Sequence, residues 1–258
     1  MEYNSIQPRI PNNLRSRVVA CISKSLQDDV TRYLKEFQPD TKNALPHMIG
    51  DMINTNVQND LTGEFVDIIP FKRYAWTGKI IIDRGNRITY SVLREKRLSQ
   101  IRKTKRDRPH YLQSAVSVLN KNFKATVKQM SFFGEGTYTF DNETLEKDCA
   151  TIFAGRIEKD DFIHCAILYN TSRGELTDAK IVFLDKDLDE IEAISLNEFI
   201  KPDFAALTNT PTPTDDIGAP ESKTSSRLIS VRNTVNQTID SGDSATSHVR
   251  VREYENQA

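Results

Sequence analysis

The sequence predicts an α+β domain, with N-terminal helices and a mixed or antiparallel sheet of about five strands on which helices pack. Three observations support this fold class. Apolar residues recur with helical spacing near the N-terminus, three short runs rich in β-branched and aromatic residues follow, and two later runs are separated by a glycine turn. The order of helices, three strands, helices and a hairpin indicates a layered α+β domain rather than a repeating βαβ array.

Two helices are predicted before the first strand. The first is expected over about 13–37, because apolar residues recur there at every fourth position. They are Leu14, Val18, Ile22, Leu26, Val30 and Leu34. A second, shorter helix keeps helical spacing from Met48 to Val57, and Gly63 supplies its stop.

Three strands are expected next, over 65–71, 79–83 and 88–93. Pro70 cannot donate a hydrogen bond to a sheet ladder, which places the first strand at an edge or at its own end. The turn at 83–86 contains Gly85 and makes the other two strands a hairpin.

The second half of the predicted domain contains two helices and a hairpin. Pro109 is expected in the first turn of a helix that buries Leu112, Ala115, Val116 and Leu119, and a further helix is expected over 142–153. The stretch 125–141 between them is expected to be a loop. A central strand over 163–169 turns at 171–174 into a partner strand over 179–185.

One domain is expected over 1–206, followed by a disordered tail over 207–258. The tail contains eight Thr and seven Ser in 52 residues, with no Phe, Trp, Cys or Met. Such a segment buries too little apolar surface to offset its chain entropy. Within the chain no apolar run reaches the roughly 18 residues of a membrane helix, and the N-terminus lacks a secretory signal, so a cytoplasmic protein without membrane contact is expected.

The net charge of −1 conceals a strong segregation of charge. Residues 72–128 carry a net charge of +13, whereas residues 135–203 carry a net charge of −10. Such asymmetry is typical of a chain with a polyanionic partner, of head-to-tail self-association, or of one half covering the other.

The densest basic stretch, 94–108, predicts a nucleic-acid-associated module that is not an enzyme. Cations at this density neutralise phosphates and release counterions without reading sequence, so DNA or RNA is the expected partner. The residues expected to contact phosphates are Arg94, Arg97, Arg102, Lys103, Lys105, Arg106 and Arg108. The alternative is a protein-interaction or regulatory module, in which the same surface meets an acidic protein or the acidic half of another copy.

Aromatic and metal-binding patterns add little to this prediction. Tyr74 and Trp76 lie near basic residues, as single-strand binding by base stacking requires, but packing of Trp76 in the core or hairpin is favoured. The cysteines Cys21, Cys149 and Cys165 have no paired spacing and are expected to be buried thiols. No metal site or other cofactor is expected. The stretch 185–190 is interpreted as a solvated acidic turn rather than a calcium loop.

Three stretches resemble an uncharacterised family of small bacterial proteins, a domain of unknown function. They are Asp51-Met52-Ile53-Asn54-Thr55-Asn56, then Tyr90-Ser91-Val92-Leu93-Arg94-Glu95-Lys96-Arg97, and then His110-Tyr111-Leu112 leading to Leu119-Asn120. The resemblance covers roughly 14–199. It implies a single bacterial domain and assigns no catalytic residue.

The order helix, three strands, helix also resembles that of metal-dependent nucleases of the PD-(D/E)xK class. In that class two carboxylates hold a divalent cation and a lysine orients the attacking water. Asp83, Glu95 and Lys96 are the candidate catalytic residues here, and a divalent cation would be the cofactor of this second alternative. Glu95 and Lys96 are adjacent, so in a regular strand they would point to opposite faces, and no proline precedes Asp83.

Overall fold

A computed structural model describes residues 5–73, 76–125 and 140–201. The predicted tail, most of the predicted loop at 125–141, and Tyr74 lie outside the described residues. Within the described ranges, six strands form one sheet, in which spatial order follows chain order. They are β1 (Val66–Arg73), β2 (Trp76–Asp83), β3 (Ile88–Arg94), β4 (Ile163–Ser172), β5 (Glu175–Leu184) and β6 (Glu190–Ser195). The predicted α+β class with helices packed on a mixed sheet is confirmed.

Only one neighbouring pair of strands in this sheet is parallel. β3 and β4 pair in parallel over seven residues, from Ile88 with Ile163 to Arg94 with Tyr169. Every other neighbouring pair is antiparallel. A parallel pair needs a long crossover, and the helices between β3 and β4 provide it.

Helices cover both faces of the sheet. On one face lie α1 (Asn12–Lys24) and α3 (Leu45–Leu61), and on the other lie α5 (Tyr111–Leu119) and α6 (Asn142–Phe153). A π-helical turn, Ser25–Asp29, lies between α1 and α2 (Val30–Phe37). The single helix predicted over 13–37 therefore consists of two α-helices joined by this turn. The Nδ2 group of Asn56 donates to Ser25 Oγ at 2.8 Å, which holds this turn against α3. Of the helices in the described part of the chain, none is long and apolar enough to cross a membrane.

The strands alternate between two cores. Ile81, Tyr90 and Cys165 face α1 and α3, whereas Ile80, Ile82 and Leu168 face α5 and α6. The three cysteines are buried and free, as the sequence predicts. A short N-terminal segment adds Ile6 and Ile10 to the first core, each 2 % exposed, and its backbone N–H at Ile6 donates to Glu192 at 2.9 Å.

The strand β6 is missing from the sequence-based prediction of about five strands. Its alternation Glu-Ile-Glu-Ala-Ile-Ser buries only Ile194, which is typical of a short, charged edge strand. The preceding turn is also more ordered than a solvated acidic turn. Asp185 is 1 % exposed, and its carboxylate accepts hydrogen bonds from the backbone N–H groups of Ala125, Asp187 and Asp189.

The basic segment begins as a helix and then becomes irregular. α4 (Glu95–Lys103) follows β3 directly, and Ile101 anchors it in the second core. The chain from Thr104 to Pro109 then leads to α5. Pro109 precedes this helix, whose N-cap is His110, so the predicted helix begins slightly later than expected.

Candidate nucleic-acid interface

The carboxyl ends of β3 and β4 lie side by side at one end of the sheet. Arg94 ends β3 and is paired in register with Tyr169 of β4, and the amino end of β2, at Trp76, belongs to the same end of the sheet. In open sheets with parallel strands, ligands bind in the crevice outside such carboxyl ends. The basic segment starts at this point, because α4 begins at the residue after Arg94.

An exposed aromatic stack occupies this end of the sheet. Trp76 is 44 % exposed and stacks on Tyr111, with ring centroids 5.5 Å apart and planes inclined by 25°. Phe71 contacts both rings, at 5.4 and 4.9 Å, and the His110 ring lies 4.3 Å from the Tyr111 ring. In the stack, defined here as Phe71, Trp76, His110 and Tyr111, only the Trp76 side chain is exposed. Trp76 thus packs on the hairpin, as favoured from the sequence, and remains accessible.

Gly78 makes room for this arrangement. A Cβ atom at position 78 would collide with Cη2 of Trp76 and would lie 2.7 Å from Cζ of Phe71. These rings therefore lie across the bare backbone of β2, where any side chain would displace them.

His110 is held in a fixed, neutral form beside the stack. Its Nδ1 atom accepts from the backbone N–H of Leu112 at 3.2 Å, and its backbone N–H donates to Oε1 of Gln113 at 2.9 Å, which forms a reciprocal cap on α5. Burial lowers the pKa of His110 to about 3, and the charges of Arg97, Arg106 and Arg73 act in the same direction. The charges of three guanidinium groups therefore act on this ring.

The three residues whose charges act on His110, namely Arg73, Arg97 and Arg106, are called the arginine cluster below. Arg73 is compensated, since it donates to the carbonyl of Pro109 at 2.8 Å and pairs with Asp148 at 2.6 Å. Arg106 has no such compensation at its Nε atom, which is buried without a hydrogen-bond partner in the described structure. Burial and the neighbouring charge of Arg97 lower the pKa of Arg106. Like charges held together around a donor without an acceptor favour an anion at this place.

The other residues predicted to contact phosphates differ in their exposure and in their partners. Lys103, Lys105 and Arg108 are exposed, and so is Lys96. Arg94 lies over the Tyr169 ring at 6.0 Å, at the rim of the same end of the sheet. Arg102, by contrast, pairs with Asp189 from the acidic half of the chain, so this residue is engaged within the molecule.

Two concavities flank the stack. The inner cavity, about 170 Å³, lies between α3 and the ends of β2, β3 and β4. Its polar and aromatic lining includes Asp51, Asn54, Trp76, Lys79, Tyr111 and Tyr169. The outer groove, about 540 Å³, lies on the other side of Arg73 and is lined by Lys72, Arg108 and Lys147 together with Asp107 and Asp148.

The nuclease candidates are not brought together. Asp83 lies at the far end of β2, paired with Ile88, and Glu95 follows the last residue of β3. Seven residue steps along the chain, from Ile88 to Glu95, at about 3.3 Å each separate these positions by more than roughly 20 Å. Asp83 accepts from the backbone and side-chain N–H groups of Asn86, and Glu95 pairs with Lys180 at 2.6 Å. Among the residues that the structure describes, no three His, Cys, Asp or Glu side chains form a group able to hold a metal ion.

Several residues at this end of the sheet do not stand out in the sequence. Arg73 lies outside the stretch 94–108, and the cavity residues Asp51, Asn54 and Lys79 belong to elements distant in sequence. His110 does carry a signal, because a polar residue three positions before Gln113 at the start of an apolar helix is a capping pattern. No comparable local signal marks the cavity, since only the packing of α3 against the strand ends creates it.

Comparison with known proteins identifies the family but adds no activity. The chain belongs to the family of unknown function DUF5986, whose model matches residues 7–250. This bears out the resemblance to an uncharacterised domain. No curated protein and no solved structure matched the chain.

Proposed function

We propose that this chain is a nucleic-acid-binding module that contacts a single strand at the end of the sheet where β3 and β4 terminate. The observation that carries the proposal is the exposed Trp76 ring, stacked on Tyr111 beside the arginine cluster. Proteins that bind single strands combine a positive track for the phosphates with aromatic faces on which bases stack. Both parts are adjacent here.

The charges of Arg97 and Arg106 indicate where the phosphates of the strand would bind. Arg97 and Arg106 lie close enough for the charge of one to lower the pKa of the other, and the buried Nε of Arg106 has no acceptor. A phosphate oxygen between them would supply both the acceptor and the missing negative charge. Lys103, Lys105 and the outer groove extend the positive surface on either side.

The geometry favours a protein that binds nucleic acid without cleaving it. Divalent-cation hydrolysis of a phosphodiester needs carboxylates that share the ion, and Asp83 and Glu95 lie more than roughly 20 Å apart along β3. Free, buried thiols are typical of a reducing compartment. Together with the resemblance to bacterial proteins, they support a cytoplasmic location in a bacterium.

Fluorescence anisotropy with labelled single-stranded and duplex oligonucleotides at low salt tests the proposal. Arg97→Gln combined with Arg106→Gln should weaken single-strand binding at least tenfold. The slope of log K against log salt should also decrease by roughly 0.7 for each phosphate that the variant no longer neutralises. Lys35→Gln combined with Lys42→Gln is the matched control. It removes the same charge from exposed positions that belong neither to the basic stretch 94–108 nor to the lining of either concavity, and should leave affinity nearly unchanged.

Trp76 supplies a second, independent readout. It is the single tryptophan of the chain, so intrinsic fluorescence reports on its environment. A base that stacks on the indole should quench this fluorescence, and Trp76→Ala should cost about 1–3 kcal/mol of binding free energy. The proposal fails if no nucleic acid binds at low salt while the protein self-associates in sedimentation velocity, since that result would assign the basic surface to the acidic half of another copy.

A further inference from the structure

The inner cavity is lined by Trp76 and Tyr111 of the aromatic stack and has polar lining residues that phosphate binding does not use. We propose that it holds one nucleobase with an exocyclic amino group, and that it selects cytosine over uracil. This inference rests on the proposed single-strand binding and names the part of the strand that the cavity takes.

The size of the cavity limits its occupant to a single ring system. A cavity of about 150 Å³ accommodates benzene, whereas drug-sized ligands occupy roughly 300 Å³ or more. The inner cavity, at about 170 Å³, therefore suits one base and excludes a whole nucleotide.

The aromatic part of the cavity lining consists of one exposed ring, Trp76, and two largely buried tyrosines, Tyr111 and Tyr169. Tyr111 and Tyr169 line the cavity from different elements, α5 and β4, and Trp76 lines its mouth together with Gly78. Extruded bases are held in this way, between aromatic or apolar side chains, while their polar edges are read by hydrogen bonds.

Besides the tyrosines, four polar side chains line the cavity: His47, Asp51, Asn54 and Lys79. Asp51 and Asn54, one turn apart on α3, supply a carboxylate and an amide, and Lys79 on β2 supplies an ammonium group. A carboxylate accepts from the N4 amino group of cytosine but meets the O4 carbonyl of uracil with repulsion. The negative charge of Asp51 also disfavours a phosphate, which has the arginine cluster close by.

The cavity and the arginine cluster share residues, so one strand can engage both. Trp76 and Tyr111 belong to the stack and also line the cavity. The charges of Arg97 and Arg73 lower the pKa of Tyr111, against the rise that burial causes, so these two residues act on the same ring. A single strand can therefore place one base in the cavity and bind its flanking phosphates to Arg97 and Arg106.

Competition binding with short oligo(dC) and oligo(dU) tests the inference on the full chain. The two probes have the same backbone and ring size and differ at the Watson–Crick edge, where cytosine has an N4 amino group and an unprotonated N3, and uracil has O4 and an N3–H group. The wild type should prefer oligo(dC) by about tenfold. Asp51→Asn replaces an acceptor by a group that also donates, and should abolish or reverse this preference. Asp40→Asn, at an exposed position outside the cavity, should retain it.

The two proposals fail in different ways. Equal affinity of the wild type for oligo(dC) and oligo(dU), with binding still weakened by Arg97→Gln and Arg106→Gln, would overturn the base cavity and leave strand binding in place. Absence of all binding in the wild type would overturn both. A preference that persists in Asp51→Asn, in a variant whose thermal unfolding matches the wild type, would also overturn the reading of the base by Asp51.

Discussion

At the scale of single residues, the exposed stack depends on the absence of a side chain at position 78. The Trp76 and Phe71 rings occupy the space that a Cβ atom would take. Gly78→Ala should therefore displace Trp76 from Tyr111 and destabilise the protein by about 1–3 kcal/mol, the usual cost of overpacking. Red-shifted tryptophan emission together with urea unfolding would show both effects.

Gly50→Ala is the matched control for this substitution. Gly50 lies within α3, and a Cβ there would meet no atom within 4 Å. Because alanine is favoured over glycine in a helix interior, this variant should gain roughly 0.5–1 kcal/mol and leave the emission unchanged. Equal behaviour of the two variants would contradict the packing described at Gly78.

His164 couples stability to pH. It is a fully buried residue of β4, and two residues of β3 contact its ring: Thr89 Oγ1 lies 2.7 Å from Nδ1 and Ser91 Oγ lies 2.9 Å from Nε2. Burial lowers the pKa of His164 from 6.5 to about 3. Between these values the unfolded chain binds a proton that the native chain does not, so this histidine makes stability fall as pH falls, by about 1.4 kcal/mol per pH unit.

His164→Gln should remove that contribution. Near pH 7 the variant should be less stable than the wild type, because Thr89 and Ser91 lose their partner. Since glutamine does not titrate, the difference between the two proteins should narrow by about 2 kcal/mol at pH 5. Urea unfolding at a series of pH values measures this difference. A gap that stays constant with pH would contradict the neutral, buried state of His164.

At the scale of elements, Asn120 joins α5 to two strands. It ends α5, and its Nδ2 group donates to the carbonyls of His164 and Leu184 at 2.8 and 2.7 Å, while Oδ1 accepts from the His164 N–H at 2.8 Å. Asn120→Ala would leave three buried backbone groups without partners and should cost about 3–5 kcal/mol in urea unfolding. The exposed Asn59→Ala should change stability by no more than about 0.5 kcal/mol. A similar cost for both would contradict the bridging role of Asn120.

Most of the helices and strands are predictable from the sequence, and there is a physical reason for each one that is not. The helix at Asn142–Phe153 and the buried strands β3 and β4 carry strong apolar periodicity, so their positions agree closely with the sequence. β6 buries little and alternates charge with apolar residues, so no strong signal marks it. The inner cavity unites Asp51, Lys79 and Tyr169, which are distant in sequence, and they meet only because α3 packs against the ends of the strands in the folded sheet.

At the scale of the whole molecule, the segment before α1 closes the first core. Ile6 and Ile10 are buried beneath the sheet face, Ser5 and the Ile6 N–H bond to Glu192 of β6, and Arg9 donates to the carbonyl of Asn86 at 2.5 Å. This segment therefore ties the far edge of the sheet to the β2–β3 turn. Its removal would expose two isoleucines and leave the carboxylate of Glu192 without these donors.

Deletions from the two ends of the chain should consequently differ in their effects. Removal of residues 1–10 should cost about 3–6 kcal/mol, the value expected for exposing two buried isoleucine side chains. A chain that ends at residue 206 keeps every described contact, including the buried Leu196 after β6, and should unfold within about 2 °C of the full chain. Calorimetry of both deletions measures these effects. A marked drop in stability on the C-terminal deletion would contradict the predicted domain boundary, because residues beyond it would then contribute to the core.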